Sequence, residues 1–268
     1  MKLKLNLTAP QIKNFKRKEE NRYLSMLTCY DYQSAQMLAQ TDLDIILVGD
    51  SLGNVILGHD TTTTVTLDMM TLFCQAVRKG APEKFLIGDV PFGVCGEFTY
   101  GLNRILEYFQ RSQVNAVKIE GACPTELKII QRLSELGVPV IGHIGLTPQS
   151  VHGLGGYYTH GKNENDRNRL RKEAQELQAH GCIAVVGECL QQELAQELTE
   201  SLTVPLIGIG CGPQVDGQVL VLNDLLHLGP DAPPKFCRPE KNFFEEKKKT
   251  VNHYLNQIHD TKTITLHS

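Results

Sequence analysis

The feature that most constrains this chain is a repeated unit: a short, nearly unbroken apolar run, a turn, then a segment with helical periodicity. Apolar runs fall at residues 25–29, 45–49, 85–88, 116–119, 138–142, 182–187 and 205–209, rich in Val, Ile, Leu and small residues. They alternate little between polar and apolar positions. A strand with one wet face alternates; a strand buried on both faces does not, and parallel sheets bury both. Between the runs lie amphipathic stretches. Leu102, Ile105, Leu106 and Phe109 fall at i, i+3, i+4 and i+7 after Thr99, a good N-cap. Pro124 suits a first helical position, and Ile129, Leu133 and Leu136 share a face before Gly137. Leu170, Ala174 and Leu177 precede Gly181 in the same way, Leu190, Leu194 and Leu198 mark another helix, and Gly80 closes a segment begun near Thr66. Helices ending in glycine just before an apolar run are a repeated βα signature.

Seven strands read clearly. The eighth is weak: Pro234, Lys235 and Phe236 are its expected remnant, after a helix from about residue 216 to residue 227. Polar residues end nearly every run, which favours a closed α/β barrel of the (β/α)8 TIM type over an open doubly wound sheet. A chain of 268 residues suits such a barrel as a single domain, expected here over residues 1–268. The segments before Leu24 and after Lys241 read as added terminal helices.

Composition then removes several partners. Lys and Arg number 27 against 30 Asp and Glu, and no basic stripe is present, so nucleic acid is not an expected partner. The lysines at 247–249 follow Glu245 and Glu246 and read as a solvated helix face. None of the eight cysteines forms a CxxC pair, so free thiols in a reducing compartment are expected. No run approaches the roughly 18 apolar residues of a membrane span, and residues 1–10 lack the apolar stretch of a secretory signal. The expected location is cytoplasmic.

The chemistry sits where the runs end. Asp50 and Ser51 follow the second run, Asp89 the third, Glu120 the fourth (with Lys118 inside it), His143 the fifth and Glu188 the sixth. In a barrel the C-terminal ends of all strands meet at one face. Carboxylates gathered there repel unless a cation stands between them, and oxygen-only donors favour a hard ion such as Mg²⁺. The bland alternative is helix capping, which weighs evenly with metal binding for Asp50 alone. No helix starts within several residues of Asp89, so capping cannot explain the set.

Lys118 in a buried strand needs a partner, which places it near the acids or a substrate carboxylate; a Schiff-base role stays open. His143, His152 and His160 match no zinc spacing, and His143 reads as a substrate hydrogen-bond donor. Residues 145–162, glycine-rich with Tyr157 and Tyr158, form a long loop expected to act as a lid. The glycines at 208–217 lack the dinucleotide spacing and read as a tight turn.

Several motifs are more specific. VGDSLGNVILGHDTTTTVT (48–66), GDVPFG (88–93), VKIEGA (117–122), GHIGLTPQSVHGLGGYYTHGK (142–162), VPLIGIGCGPQVDGQVLVLND (204–224) and PKF (234–236) occur in that order. Together they resemble the ketopantoate hydroxymethyltransferase family. The resemblance implies a (β/α)8 barrel, Mg²⁺, the 2-oxo acid 3-methyl-2-oxobutanoate and the one-carbon donor 5,10-methylenetetrahydrofolate. It implies a homo-oligomer, often a decamer. By the same resemblance Asp50, Asp89 and Glu120 gather at the metal, and Asp50, Asp89, Ser51 and Lys118 contact the 2-oxo acid. Glu188 matches the proton acceptor, and Val185, Val186 and Cys189 would desolvate it and raise its pKa. Departures fall at Tyr158, Cys211 and residues 61–66, outside the metal set. A phosphoenolpyruvate mutase or isocitrate lyase type of barrel is the competing enzyme class, but no KKCGH-like segment is present. A non-catalytic barrel would not need four acids and a buried lysine.

Overall fold

The structure is a computed structural model that describes residues 7–156 and 158–259. It falls into two compact units, residues 1–219 and 220–268. Eight parallel strands close into a barrel in sequence order. They are β1 (Leu24–Thr28), β2 (Ile45–Val48), β3 (Phe85–Asp89), β4 (Ala116–Glu120), β5 (Val140–Gly145), β6 (Ala184–Glu188), β7 (Leu206–Ile209) and β8 (Gly217–Leu220). β2, β3, β5 and β7 are buried at every position, which is why their sequences do not alternate. Met26, Ile45, Leu47, Phe85, Ile87, Ala116, Ile141, Ala184, Val186 and Ile207 belong to one continuous core.

Helices lie between the strands where the periodicity predicts. Leu67–Gly80 begins at Thr66, whose hydroxyl accepts from Met69 N, and Pro124–Glu135 has proline in its first turn. The helix at Phe98–Ser112 starts earlier than Thr99 suggests. Glu97 is its N-cap, and the carboxylate takes the Thr99 and Tyr100 N–H groups.

The eighth strand is not at residues 234–236. It is Gly217–Leu220, and the helix expected across 216–227 shrinks to Leu222–Leu225. Gly217 passes so close to Leu24 that an added Cβ would lie 2.7 Å from its carbonyl oxygen. Proline cannot donate to a ladder, and Phe236 is 44% exposed. The four-residue strand was hidden by a glycine at its start and a polar Gln218 within it.

Both added terminal segments are helical: Ala9–Lys13 and Arg17–Glu20 before β1, and Phe243–His259 near the end. Ile12 and Phe15 join the barrel core from the N-terminal side. Lys16 Nζ reaches the buried Asp216 carboxylate at 2.6 Å and also donates to Thr199 O and Leu202 O. Asp216 further accepts the N–H groups of Arg17 and Leu206, so the entry to β8 is tied to the N-terminal segment. All eight cysteines are free, as expected. No described helix is long and apolar enough to cross a membrane.

Candidate active site

Register decides which strand-end side chains meet. Asp89 on β3 is in register with Lys118 on β4, and Glu120 is in register with His143 on β5. Residues two apart on a strand share a face, so Lys118 and Glu120 point the same way. Lys118 Nζ lies 3.0 Å from Asp89 Oδ2 and 3.6 Å from Glu120 Oε1, so the lysine turns inward to the acids. Burial opposes its charge, but Asp89, Glu120 and Asp50 outweigh burial and raise its pKa. A lysine held as a cation is a poor amine nucleophile, which argues against a Schiff base.

His143 bridges two acids. Nδ1 is 3.2 Å from Glu120 Oε1, and Nε2 is 3.3 Å from Glu188 Oε2, although without the geometry of a full hydrogen bond. Burial and Lys118 push the imidazole towards neutrality. Glu120 and Glu188 win, and its pKa rises to about 9. Glu188 is less enclosed than its apolar sequence neighbours suggest: its side chain is 19% exposed and faces His143.

The remaining acids crowd one another. Asp50 is pushed up to about 8, first by burial and then by Glu120 and Asp89, with Lys118 and Gln149 working against the rise. Burial also raises Asp89, with Glu120 adding to it and Lys118 opposing. Glu120 goes the other way. Burial would raise it, but His143 and Lys118 hold it low. Asp50 does not cap the following helix. Ser51 occupies the N-cap of Leu52–Val55 without a capping bond, while Asp50 Oδ2 accepts from Gln149 Nε2 at 2.7 Å. Ser51 Oγ lies 2.8 Å from the hydroxyl of the buried Tyr30.

Whether a hard cation fits can be asked of the donors themselves. They are carboxylate oxygens from Asp50, Asp89 and Glu120, and Asp89 Oδ1 is buried without any hydrogen-bond partner. Asp50 is raised first by burial and then by the negative charge of Glu120 and Asp89. Both features suit a divalent ion held by few protein ligands, the rest being water or substrate. Among the described residues no three or more His, Cys, Asp or Glu side chains are grouped to hold a metal ion, and Lys118 stands among the acids instead. The donor set is open and oxygen-only, and it fits Mg²⁺ in kind.

The loop after β5, expected as a lid, carries short helical turns. It holds a 3₁₀ turn at Pro148–Ser150 and a short helix at Val151–Leu154; Tyr157 lies outside the described residues. Gly145, at φ +92°, opens the loop where a Cβ would collide with Glu188 O. His160 belongs to the loop's own packing: its N–H donates to Cys189 O, its carbonyl accepts from Gln191 N, and its ring stacks on Tyr158. Two residues went unseen in the sequence, Gln149 and Tyr30. Both are uncharged and sit outside the strand ends, so position alone could not single them out.

Comparison with known proteins adds an independent finding. The model of the ketopantoate hydroxymethyltransferase family matches residues 6–262. A 3-methyl-2-oxobutanoate hydroxymethyltransferase of Coxiella burnetii (strain Dugway 5J108-111) is 44% identical over 244 residues, covering 90% of this chain and 91% of the relative. Its counterpart in Legionella pneumophila subsp. pneumophila is 44% identical over 256 residues, covering 92% and 95%. Among solved structures, 2,3-dimethylmalate lyase, a PEP mutase/isocitrate lyase superfamily member, aligns with a TM-score of 0.58 at 16% identity, covering 93% of this chain and 97% of that one. Phosphonopyruvate hydrolase in complex with oxalate and Mg²⁺ aligns at 0.62 and 11%, covering 97% and 89%. These two likenesses speak to the barrel fold.

Proposed function

Because the chain belongs to the ketopantoate hydroxymethyltransferase family, we propose that it transfers a hydroxymethyl group from 5,10-methylenetetrahydrofolate to 3-methyl-2-oxobutanoate. The product is 2-dehydropantoate, or ketopantoate, on the route to pantothenate and coenzyme A. The observation that carries this reading is the buried set of Asp50, Asp89, Glu120, Lys118 and His143, with the part-exposed Glu188 at its edge. Such a set can hold a small anion with an acidic C–H bond beside a proton acceptor.

Asp50, Asp89 and Glu120 would hold Mg²⁺, which when bound polarises the 2-oxo group and acidifies the neighbouring C3–H bond. The Lys118 ammonium attracts the substrate carboxylate, and Ser51 offers a hydroxyl that is hydrogen-bonded to that of Tyr30. Glu188 takes the C3 proton, and the electron pair of that bond moves towards the 2-oxo group. His143 lies between the two carboxylates, 3.3 Å from Glu188 and 3.2 Å from Glu120. C3 then bonds to the donor's methylene carbon as one of its two C–N bonds breaks, and that nitrogen takes up the proton removed from C3. Water then gives its hydroxyl to the same carbon and its proton to the second nitrogen as the remaining C–N bond breaks and tetrahydrofolate leaves.

The exposed Val251, Tyr254, Leu255 and Ile258 of helix Phe243–His259 support self-association as a homo-oligomer, the decamer being the family expectation. Free thiols agree with a cytoplasmic location. The decisive assay follows product by mass spectrometry with both substrates and Mg²⁺. Turnover should vanish when the folate is omitted or the protein is exhaustively chelated. Full turnover under either condition would overturn the corresponding part of the reading.

A further inference from the structure

One neutral residue ties three strand ends together. Gln149, in the 3₁₀ turn Pro148–Ser150, donates from Nε2 to Asp50 Oδ2 at 2.7 Å and to Val90 O at 3.0 Å. Its backbone N–H donates to Glu120 Oε2 at 3.2 Å. Both amide hydrogens are therefore used, one on the group after β2 and one on the group after β3, while the main chain reaches the end of β4. Asp50 is fixed through Oδ2, which leaves Oδ1 free to meet a ligand.

The choice of side chain has a charge logic. Lysine or arginine here would neutralise the acids and compete with a cation, and glutamate would add a further negative charge beside the Asp50 and Glu120 carboxylates. A primary amide supplies two donors and no charge. Groups that hydrogen-bond to metal-binding carboxylates set their direction and limit the disorder lost on binding. The backbone contact to Glu120 makes the turn itself part of this support.

We propose that Gln149 is a positioning residue for the divalent cation, orienting Asp50 and Glu120 without altering the charge of the site. This rests on the Mg²⁺ reading above. The test is calorimetric titration of Mg²⁺ into the full chain, free of substrates, for wild type and Gln149→Met, which keeps length and removes the donors. Mg²⁺ affinity should fall by roughly 10- to 100-fold, the usual effect of losing such a partner. The Mg²⁺ concentration giving half-maximal turnover should rise by the same factor. Unchanged Mg²⁺ affinity in a folded Gln149→Met protein overturns the role. Should that variant fail to fold, Gln149→Asn, one methylene shorter, decides in the same way: weakened Mg²⁺ binding supports the role and wild-type binding overturns it. A wild-type protein that takes up no divalent cation would overturn the Mg²⁺ reading itself, and the role of Gln149 with it.

Discussion

Replacing Glu188 by Gln keeps the shape of the side chain and removes the lone-pair charge that accepts a proton. The structure bounds the size of the effect. A positioned general base contributes about 10²- to 10⁴-fold, or about 2.7–5.4 kcal/mol at 1.36 kcal/mol per tenfold. His143 is the neighbour within reach, at 3.3 Å, and cannot easily take over. Its pKa of about 9 keeps it charged at neutral pH, and Glu120, the larger of its two carboxylate influences, remains in the variant. Water does reach the site, since the Glu188 side chain is 19% exposed, so a slow background should persist. The assay needs no folate: 3-methyl-2-oxobutanoate and Mg²⁺ are incubated with protein in D₂O, and loss of the C3 proton is followed by NMR. Wild type should exchange, and Glu188→Gln should be slower by roughly 10²–10⁴-fold while still binding the 2-oxo acid. Exchange at the wild-type rate would refute Glu188 as the base and make His143 the next group to test.

Further perturbations address the other parts of the molecule. Asp50→Asn and Asp89→Asn should each abolish turnover and weaken Mg²⁺ binding with the far-UV circular dichroism unchanged; either variant retaining wild-type turnover would contradict the metal assignment. Lys16→Met leaves the Asp216 carboxylate, 2% exposed, with two backbone N–H partners. Removing one partner of a fully buried pair costs about 3–5 kcal/mol, and those two bonds reduce the loss to roughly 2–3 kcal/mol. Thermal melting should then drop by roughly 5–10 °C with the substrate KM values unchanged. Gly88→Ala would drive a methyl group into the Tyr108 hydroxyl, which sits against Cys74. Overpacking of this kind costs about 1–3 kcal/mol; melting checks the loss, and a turnover assay should show that moving the adjacent Asp89 also impairs activity.

Much of the barrel was legible because a doubly buried strand has few compatible sequences. The seven apolar runs each contain or overlap an observed strand; Asp89, Glu120 and Glu188 end their strands and Asp50 follows β2 closely, whereas His143 lies inside β5, because that strand runs on to Gly145. β8 escaped because four residues beginning with glycine carry too little periodicity to read. Lys118 shows a different limit. Its inward direction depends on the register between β3 and β4, which a single chain does not reveal until Asp89 is paired with it. Gln149 shows a third: its importance lies in what its amide touches, and no charge or period announces it.

The link from Lys16 to Asp216 also has a bearing on how the protein is made. The two residues are 200 positions apart, yet the second, at the entry to the last strand, needs the first. A ribosome adding about 5–20 residues per second would separate their appearance by roughly 10–40 s. Through that interval Ile12 and Phe15 have no finished barrel floor to rest on, and a growing sheet has an open edge. Nascent chains should therefore be most vulnerable to aggregation just before residue 216 emerges, and holding back Lys16 would lengthen that exposure rather than alter the earlier strands.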